Sequence, residues 1–156
     1  MSYPSEWALR RVIAFLAALG VGVATYIAVE AAGGDAPRCI AGSTGCATVA
    51  KSSYSHVAGV NIAAFGIVGY VLLLASAFFV NDLARFGGFV VALGGFGYSV
   101  FLTYIEIFKI EAICQWCVGS AVLMTILFAL SATRLIVYAG AENQTTRQPG
   151  LRRATG

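Results

Sequence analysis

Cys114 and Cys117 stand three residues apart in the stretch IEAICQWCVGSAV, at the head of a long apolar run. A C-x-x-C pair suits reversible disulfide chemistry, because residues i and i+3 of a helix share a face. At a helix N-terminus the free N–H groups and the dipole stabilise a thiolate. The thiolate, not the thiol, attacks a disulfide or another electrophile. A static disulfide or two buried thiols is the plain alternative. A second pair, Cys39 and Cys46, lies in DAPRCIAGSTGCATVAKSSYSHVAGVN. The six residues between them, IAGSTG, are small enough to close a disulfide or leave it open. That pair is either a fixed loop clamp or a shuttle, one cysteine reaching outward and the other reaching the C-x-x-C. A zinc site is the third possibility, but C-x6-C with a distant C-x2-C is loose for zinc, and no metal is expected.

The elements that position these sulfurs follow from composition. Of 156 residues, 59% are hydrophobic and 11% charged. A soluble fold of this size lacks the interior for so much apolar surface. The expected class is an all-α integral membrane protein, a four-transmembrane-helix bundle with an outer loop carrying a cysteine pair. Four apolar runs, about 12–32, 62–80, 86–105 and 113–138, each approach the ~20 residues that span a bilayer as a helix. The first is longer than the core of a signal peptide and is read as a span. Residues 1–140 then form one membrane domain, and 141–156 a polar, flexible cytoplasmic tail.

Four spans place both termini on one side. That side holds Arg10, Arg11, Arg85, Arg134, Arg147, Arg152 and Arg153; the other holds only Arg38, Lys51 and Lys109. The positive-inside rule assigns the first side to the cytoplasm, in a multi-pass protein of the cell inner (cytoplasmic) membrane. All four cysteines then face the oxidising side, where disulfides persist. Glycines 66, 69, 87, 88, 94, 95 and 97 are expected to let the helices pack closely.

Two dithiols at a lipid edge imply an electron relay, and a relay needs an acceptor. The bilayer supplies a lipid-soluble quinone, held in an apolar pocket with a few polar groups. Phe65, Tyr70, Phe96, Tyr98, Phe101, Tyr104 and Trp116 are the aromatic candidates for its walls. Cys117, one turn deeper than Cys114, is the expected nucleophile toward it. Glu111 and desolvation are expected to oppose the effect of the helix terminus on the thiol pKa.

The chain resembles the vitamin K epoxide reductase family in its bacterial form. The match rests on the loop pair Cys39 and Cys46, Ser52 six residues later, Gly66 to Tyr70 as G-x-x-x-Y, and CQWC opening the last span. The resemblance implies a quinone-dependent thiol oxidoreductase that generates disulfides. Electrons pass from a thioredoxin-like, DsbA-like partner through Cys39 and Cys46 to Cys114 and Cys117, and on to menaquinone, vitamin K or ubiquinone. Vitamin K quinone or epoxide reduction is a further family activity. Cys117 then faces the quinone, Cys114 resolves, Cys39 meets the partner, and Ser52 helps organise the site. Read from the residues alone, Ser52 is a helix cap. Asn61, Phe65 and Trp116 are candidate quinone contacts. So is Ala121, which stands where animal enzymes place a quinone-bonding tyrosine. Some bacterial members carry a fused thioredoxin domain; here the partner is expected to be a separate protein. Quinone-linked thiol oxidases of the DsbB type are the rival, but their C-x-x-C lies in the first outer loop, the reverse of the order here.

Overall fold

A backbone away from water must close its hydrogen bonds within its own segment, and the apolar runs accordingly become helices. The computed structural model describes residues 5–39, 44–57 and 59–139. Within these, α1 (Glu6–Ala32) is followed by a short α2 (Gly45–Ala50) and a single 3-10 turn, Ser53–Ser55. A minimal hairpin comes next, β1 (His56–Val57) against β2 (Val60–Asn61), with His56 opposite Asn61. This hairpin is the one departure from an all-helical reading among the described residues. It delivers the chain to α3 (Ile62–Phe78), α4 (Asp82–Ile105) and α5 (Gln115–Arg134). The last two run on into π-helical turns, Glu106–Ile110 and Leu135–Ala139. The expected tail, 141–156, lies outside the described residues.

Two helices begin earlier than their apolar runs. The first turns of α1 and α4 carry charges that pair: Arg85 meets Glu6 at 3.2 Å and Asp82 at 2.5 Å. The long helices pack as a ring, α1 on α3, α3 on α4, α4 on α5 and α5 on α1. Their shared core is Ile13, Ala17, Ala24, Tyr70, Leu73, Ala77, Ala92, Met124 and Leu127. Large apolar side chains instead cover the outside; Phe15 is 65% exposed and Val29 66%. Large apolar side chains turned outward, over a core that includes several alanines at the helix contacts, is the pattern of a bundle solvated by lipid.

Among the described residues, three helical segments are long and apolar enough to cross a membrane: Glu6–Ala32, Asp82–Ile110 and Gln115–Tyr138. The fourth, α3, has 17 residues. Its length of about 25 Å falls short of the ~30 Å hydrocarbon layer. Its end is finished by side chains. Arg10 donates to the carbonyls of Ala77 (2.6 Å) and Phe78 (2.8 Å), and Arg134 to those of Ser76 (2.9 Å) and Phe79 (2.8 Å). The carbonyls that a helix C-terminus leaves without partners are thus satisfied without a further turn.

The glycines divide into different roles than expected. Gly88 and Gly95 do sit at close contacts, against Ser76 and Met124. Gly87 and Gly97 have nothing within 4 Å, while Gly66, Gly69 and Gly94 border a cavity. The tightest helix approach falls at Gly20, whose missing Cβ leaves room for the Tyr70 ring.

Candidate active site

The C-x-x-C lies where the sequence places it, at the start of α5. Cys114 is the N-cap, in extended backbone geometry, and Cys117 sits in the first turn. Both are free thiols; Cys114 is buried and Cys117 half-buried. Cys39 and Cys46 form a disulfide, with Cα atoms 5.8 Å apart. Cys46, on α2, is buried, whereas Cys39 is partly exposed. Gly45 brings α2 against the chain just before Cys114: a Cβ there would strike the Ile113 carbonyl. Trp116, between the two active-site cysteines, donates its indole N–H to the Arg38 carbonyl at 2.9 Å. Its ring also packs on Tyr26, with centroids 5.2 Å apart. The residue next to Cys39 is therefore fastened to the C-x-x-C turn.

Cys46, Cys114 and Cys117 all line one cavity of about 580 Å³, which lies among α1, α3, α4 and α5. This is within the range of small-molecule sites. Of the expected quinone contacts, Ser52, Asn61, Phe65 and Trp116 border it, as do Tyr70 and Tyr98. Phe96 does not; it stacks on Phe128 at 5.1 Å. Phe101 and Tyr104 are on the exposed surface. Ala121 is also elsewhere, in a shallow groove between α4 and α5 with Thr103, Val118 and Thr125. The cavity face of α5 is Cys117, Ser120 and Met124, at helical spacing, and Ala121 sits on its flank.

The polar groups of the cavity have distinct duties. Asn61 caps α3, its Oδ1 accepting from the Ala63 N–H at 2.8 Å. That bond fixes the amide, leaving the Asn61 NH2 as a donor. The Ser52 hydroxyl donates to the Val49 carbonyl at 2.7 Å, closing the last turn of α2. Ser52 is thus a cap at the C-terminal end of a helix, and its proton is already committed. The Tyr70 hydroxyl pairs with the Ser120 hydroxyl at 2.7 Å.

Sequence reasoning missed Ser120 and Glu106. Ser120 was findable, three residues beyond Cys117 on the same helix face. By its place in the sequence Glu106 falls between the third and fourth apolar runs, 86–105 and 113–138. Yet it is only 4% exposed, because α4 continues past Ile105 as a π-helical turn rather than fraying into a loop. Its Oε2 accepts from the Cys114 backbone N–H at 3.1 Å.

Cys114 is the sulfur set up as an anion. The Cys117 thiol donates toward it, and this holds the Cys114 pKa down at about 7 from the ordinary 9.0. Burial opposes the effect, while the Cys117 and Trp116 N–H groups at the helix start assist it. The acid that opposes it is Glu106, not Glu111 as expected.

A cysteine pair at a helix start, a second pair bonded beside it and one apolar cavity touching both form the arrangement of a thiol–disulfide relay. The family model for the vitamin K epoxide reductase family matches residues 11–132. The chain belongs to that family. Membership makes it a membrane oxidoreductase of the vitamin K epoxide reductase type, and the DsbB-type alternative gives way. No individual curated protein matches the chain at a significant level.

Proposed function

We propose that the protein is a quinone-dependent thiol oxidase that makes disulfides for a separate thioredoxin-like, DsbA-like partner. In this reading all four long helices cross the inner membrane. The end carrying Arg10, Arg85 and Arg134 faces the cytoplasm, and the cysteine end faces outward. The observation that carries the proposal is the shared cavity: Cys46 of the loop disulfide and both free thiols border the same apolar space.

The exposure of Cys39 and burial of Cys46 give the loop pair a direction. A partner thiolate attacks Cys39, opening the disulfide and freeing Cys46. Cys46 then passes the electrons to Cys114, which α2 holds close through Gly45. Within the reduced C-x-x-C, Cys114 rests as the thiolate and attacks Cys117 Sγ once Cys117 has engaged the acceptor. The Asn61 NH2, Phe65, Trp116 and the Tyr70–Ser120 pair would hold and orient that acceptor, menaquinone or ubiquinone in kind. When bound, a quinone accepts two electrons and two protons. The apolar walls exclude water from the reacting sulfurs.

The test is menadione reduction by the purified protein with a reduced thioredoxin-fold donor. The expected result is turnover that Cys117→Ala abolishes and that Cys39→Ala abolishes with the protein donor but not with dithiothreitol. Absence of quinone reduction, or full turnover in Cys117→Ala, would leave two structural cysteine pairs and no enzyme.

A further inference from the structure

We propose that Glu106 is the acid–base residue of the dithiol site: it takes the Cys117 proton as that sulfur attacks, and returns it to the reduced acceptor. This rests on the quinone-reductase reading above.

Among the described residues that border the cavity, Glu106 is the one Asp, Glu, Lys, Arg or His. It is 4% exposed, and among the described residues no cation pairs with it. A carboxylate buried without a counter-charge is expensive, and in a membrane protein it marks function by default. What it does touch is the start of the dithiol turn. Its Oε2 accepts from the Cys114 backbone N–H at 3.1 Å, and it borders the same cavity as Cys117.

The backbone is shaped to keep it there. Regular helix stops at Ile105, and the π-helical turn carries Glu106 inward. The Glu106 carbonyl then accepts from the N–H groups of both Glu111 and Ala112. The chain reverses through Glu111 at φ 53°, a left-handed geometry disfavoured for a residue with a Cβ. This reversal returns the chain to Cys114, so one turn sets both the acid and the first cysteine.

The chemistry requires such a group. Cys114 must stay a thiolate to attack Cys117, so it cannot also keep the proton that Cys117 sheds. Glu106 separates the two duties. The Cys117 S–H bond breaks, its proton goes to Glu106, and the sulfur electron pair bonds to the quinone. The Cys114 thiolate then attacks Cys117 Sγ. The S–S bond forms, the bond from Cys117 to the quinone breaks, and its electron pair stays with the quinone. The dithiol is oxidised and the quinone reduced by two electrons. One proton of the quinol is the one Glu106 held; water supplies the other, replacing the proton Cys114 released.

The deciding variant is Glu106→Gln, whose carbonyl still accepts from the Cys114 N–H but whose amide takes no proton. In single turnovers of the pre-reduced protein with menadione, the rate should fall about 100-fold or more. The half-saturating menadione concentration and the exchange between the Cys39–Cys46 and Cys114–Cys117 pairs should hold. In a Cys114→Ala background, where the bond from Cys117 to menadione is trapped, its formation by mass spectrometry should slow by the same factor. Rates within threefold of the parent overturn the proposal. So does parallel loss of disulfide exchange, which would make Glu106 a prop for Cys114. If Glu106→Gln does not fold, the Cys114→Ala protein decides alone: trapping should slow at least about twofold in D2O, and no slowing overturns the assignment. A parent that exchanges disulfides but never reduces menadione sinks the quinone reading, and this inference with it.

Discussion

The two ends of the helix bundle bury polar groups in different ways. At one end Glu6, Arg10, Arg85 and Arg134 are held by partners within the fold, with the Arg134 Nε left over: three carbonyl-finishing contacts at 2.6–2.8 Å, a fourth at 2.9 Å, and carboxylates across α1 and α4. At the other end Glu106, Cys114 and Cys117 are as buried, or nearly so, yet they turn toward a cavity. Polar groups satisfied within the fold hold it together. Polar groups with capacity left over, aimed at a space that fits a ligand, do chemistry. One end sets the helix lengths, and the other uses them.

The largest way to break this contrast is at the arginine end. Arg134 is 2% exposed and bridges the Ser76 and Phe79 carbonyls to Glu6. Arg134→Met leaves those two carbonyls without their partner and Glu6 with Arg85 alone. Two buried acceptors left unpaired should cost about 2–6 kcal/mol of stability, read as a fall in the thermal midpoint in detergent. Quinone reduction per folded molecule should be unchanged. Lost turnover in a stable protein would mean that the two ends are not separate.

The cysteine end should answer to pH. Cys114 has its pKa lowered to about 7, first by the Cys117 thiol. The sign follows: below pH 7 its alkylation rate should rise about tenfold per pH unit as thiolate forms, and above 7 it should level off. Cys117→Ala removes the donor and should move the midpoint up toward the ordinary 9.0; Cys117→Ser keeps a donor and should keep most of the depression. Iodoacetamide trapping followed by mass spectrometry reads this. An unmoved midpoint in Cys117→Ala would place the cause in the helix start instead.

Much of this was legible in the sequence, and the rest fails for identifiable reasons. Runs of about twenty apolar residues have one backbone solution in a bilayer, so the long helices could be read directly. The loop pair, Ser52, the G-x-x-x-Y of Gly66 to Tyr70 and the CQWC together carried the resemblance to the family, and the order of the cysteine pairs separated it from the DsbB type. Glu106 was not legible, because a lone acid ending an apolar run reads as an interfacial residue. Only the π-helical turn, which no residue type announces, carries it inside. Ala121 was named from the position of an animal tyrosine, which says nothing of which α5 face borders the cavity. Gly45 was passed over because a glycine beside a cysteine in a loop reads as flexibility, whereas here it permits contact.

That contact supplies a smaller test. Gly45→Ala puts a Cβ into the Ile113 carbonyl, and the clash lies between two backbones that cannot yield like a side-chain tip. The expected stability loss is about 1–3 kcal/mol. The sharper reading is kinetic. Transfer between the loop pair and Cys114 should slow, while reduction of the loop disulfide by dithiothreitol should not. Equal rates in both assays would show that α2 need not approach Cys114 so closely.

The smallest effect is expected at Trp116, and it separates two ways of holding the loop. Trp116→Phe keeps an aromatic ring against Tyr26 but removes the N–H that donates to the Arg38 carbonyl. A single hydrogen bond to a solvent-facing carbonyl contributes about 1 kcal/mol. Global unfolding should hardly move. Hydrogen exchange in the segment from Asp35 to Cys39 should rise by about fivefold, the factor that 1 kcal/mol implies for a local opening. Trp116→Ala, which removes the ring as well, should raise it further. The arginine end, finished by several bonds on each guanidinium, should show no such graded release when Arg10 alone is changed to Lys. If Trp116→Phe leaves exchange untouched and Trp116→Ala does not, stacking on Tyr26 holds the loop. The hydrogen bond to Arg38 would then follow from that packing rather than cause it.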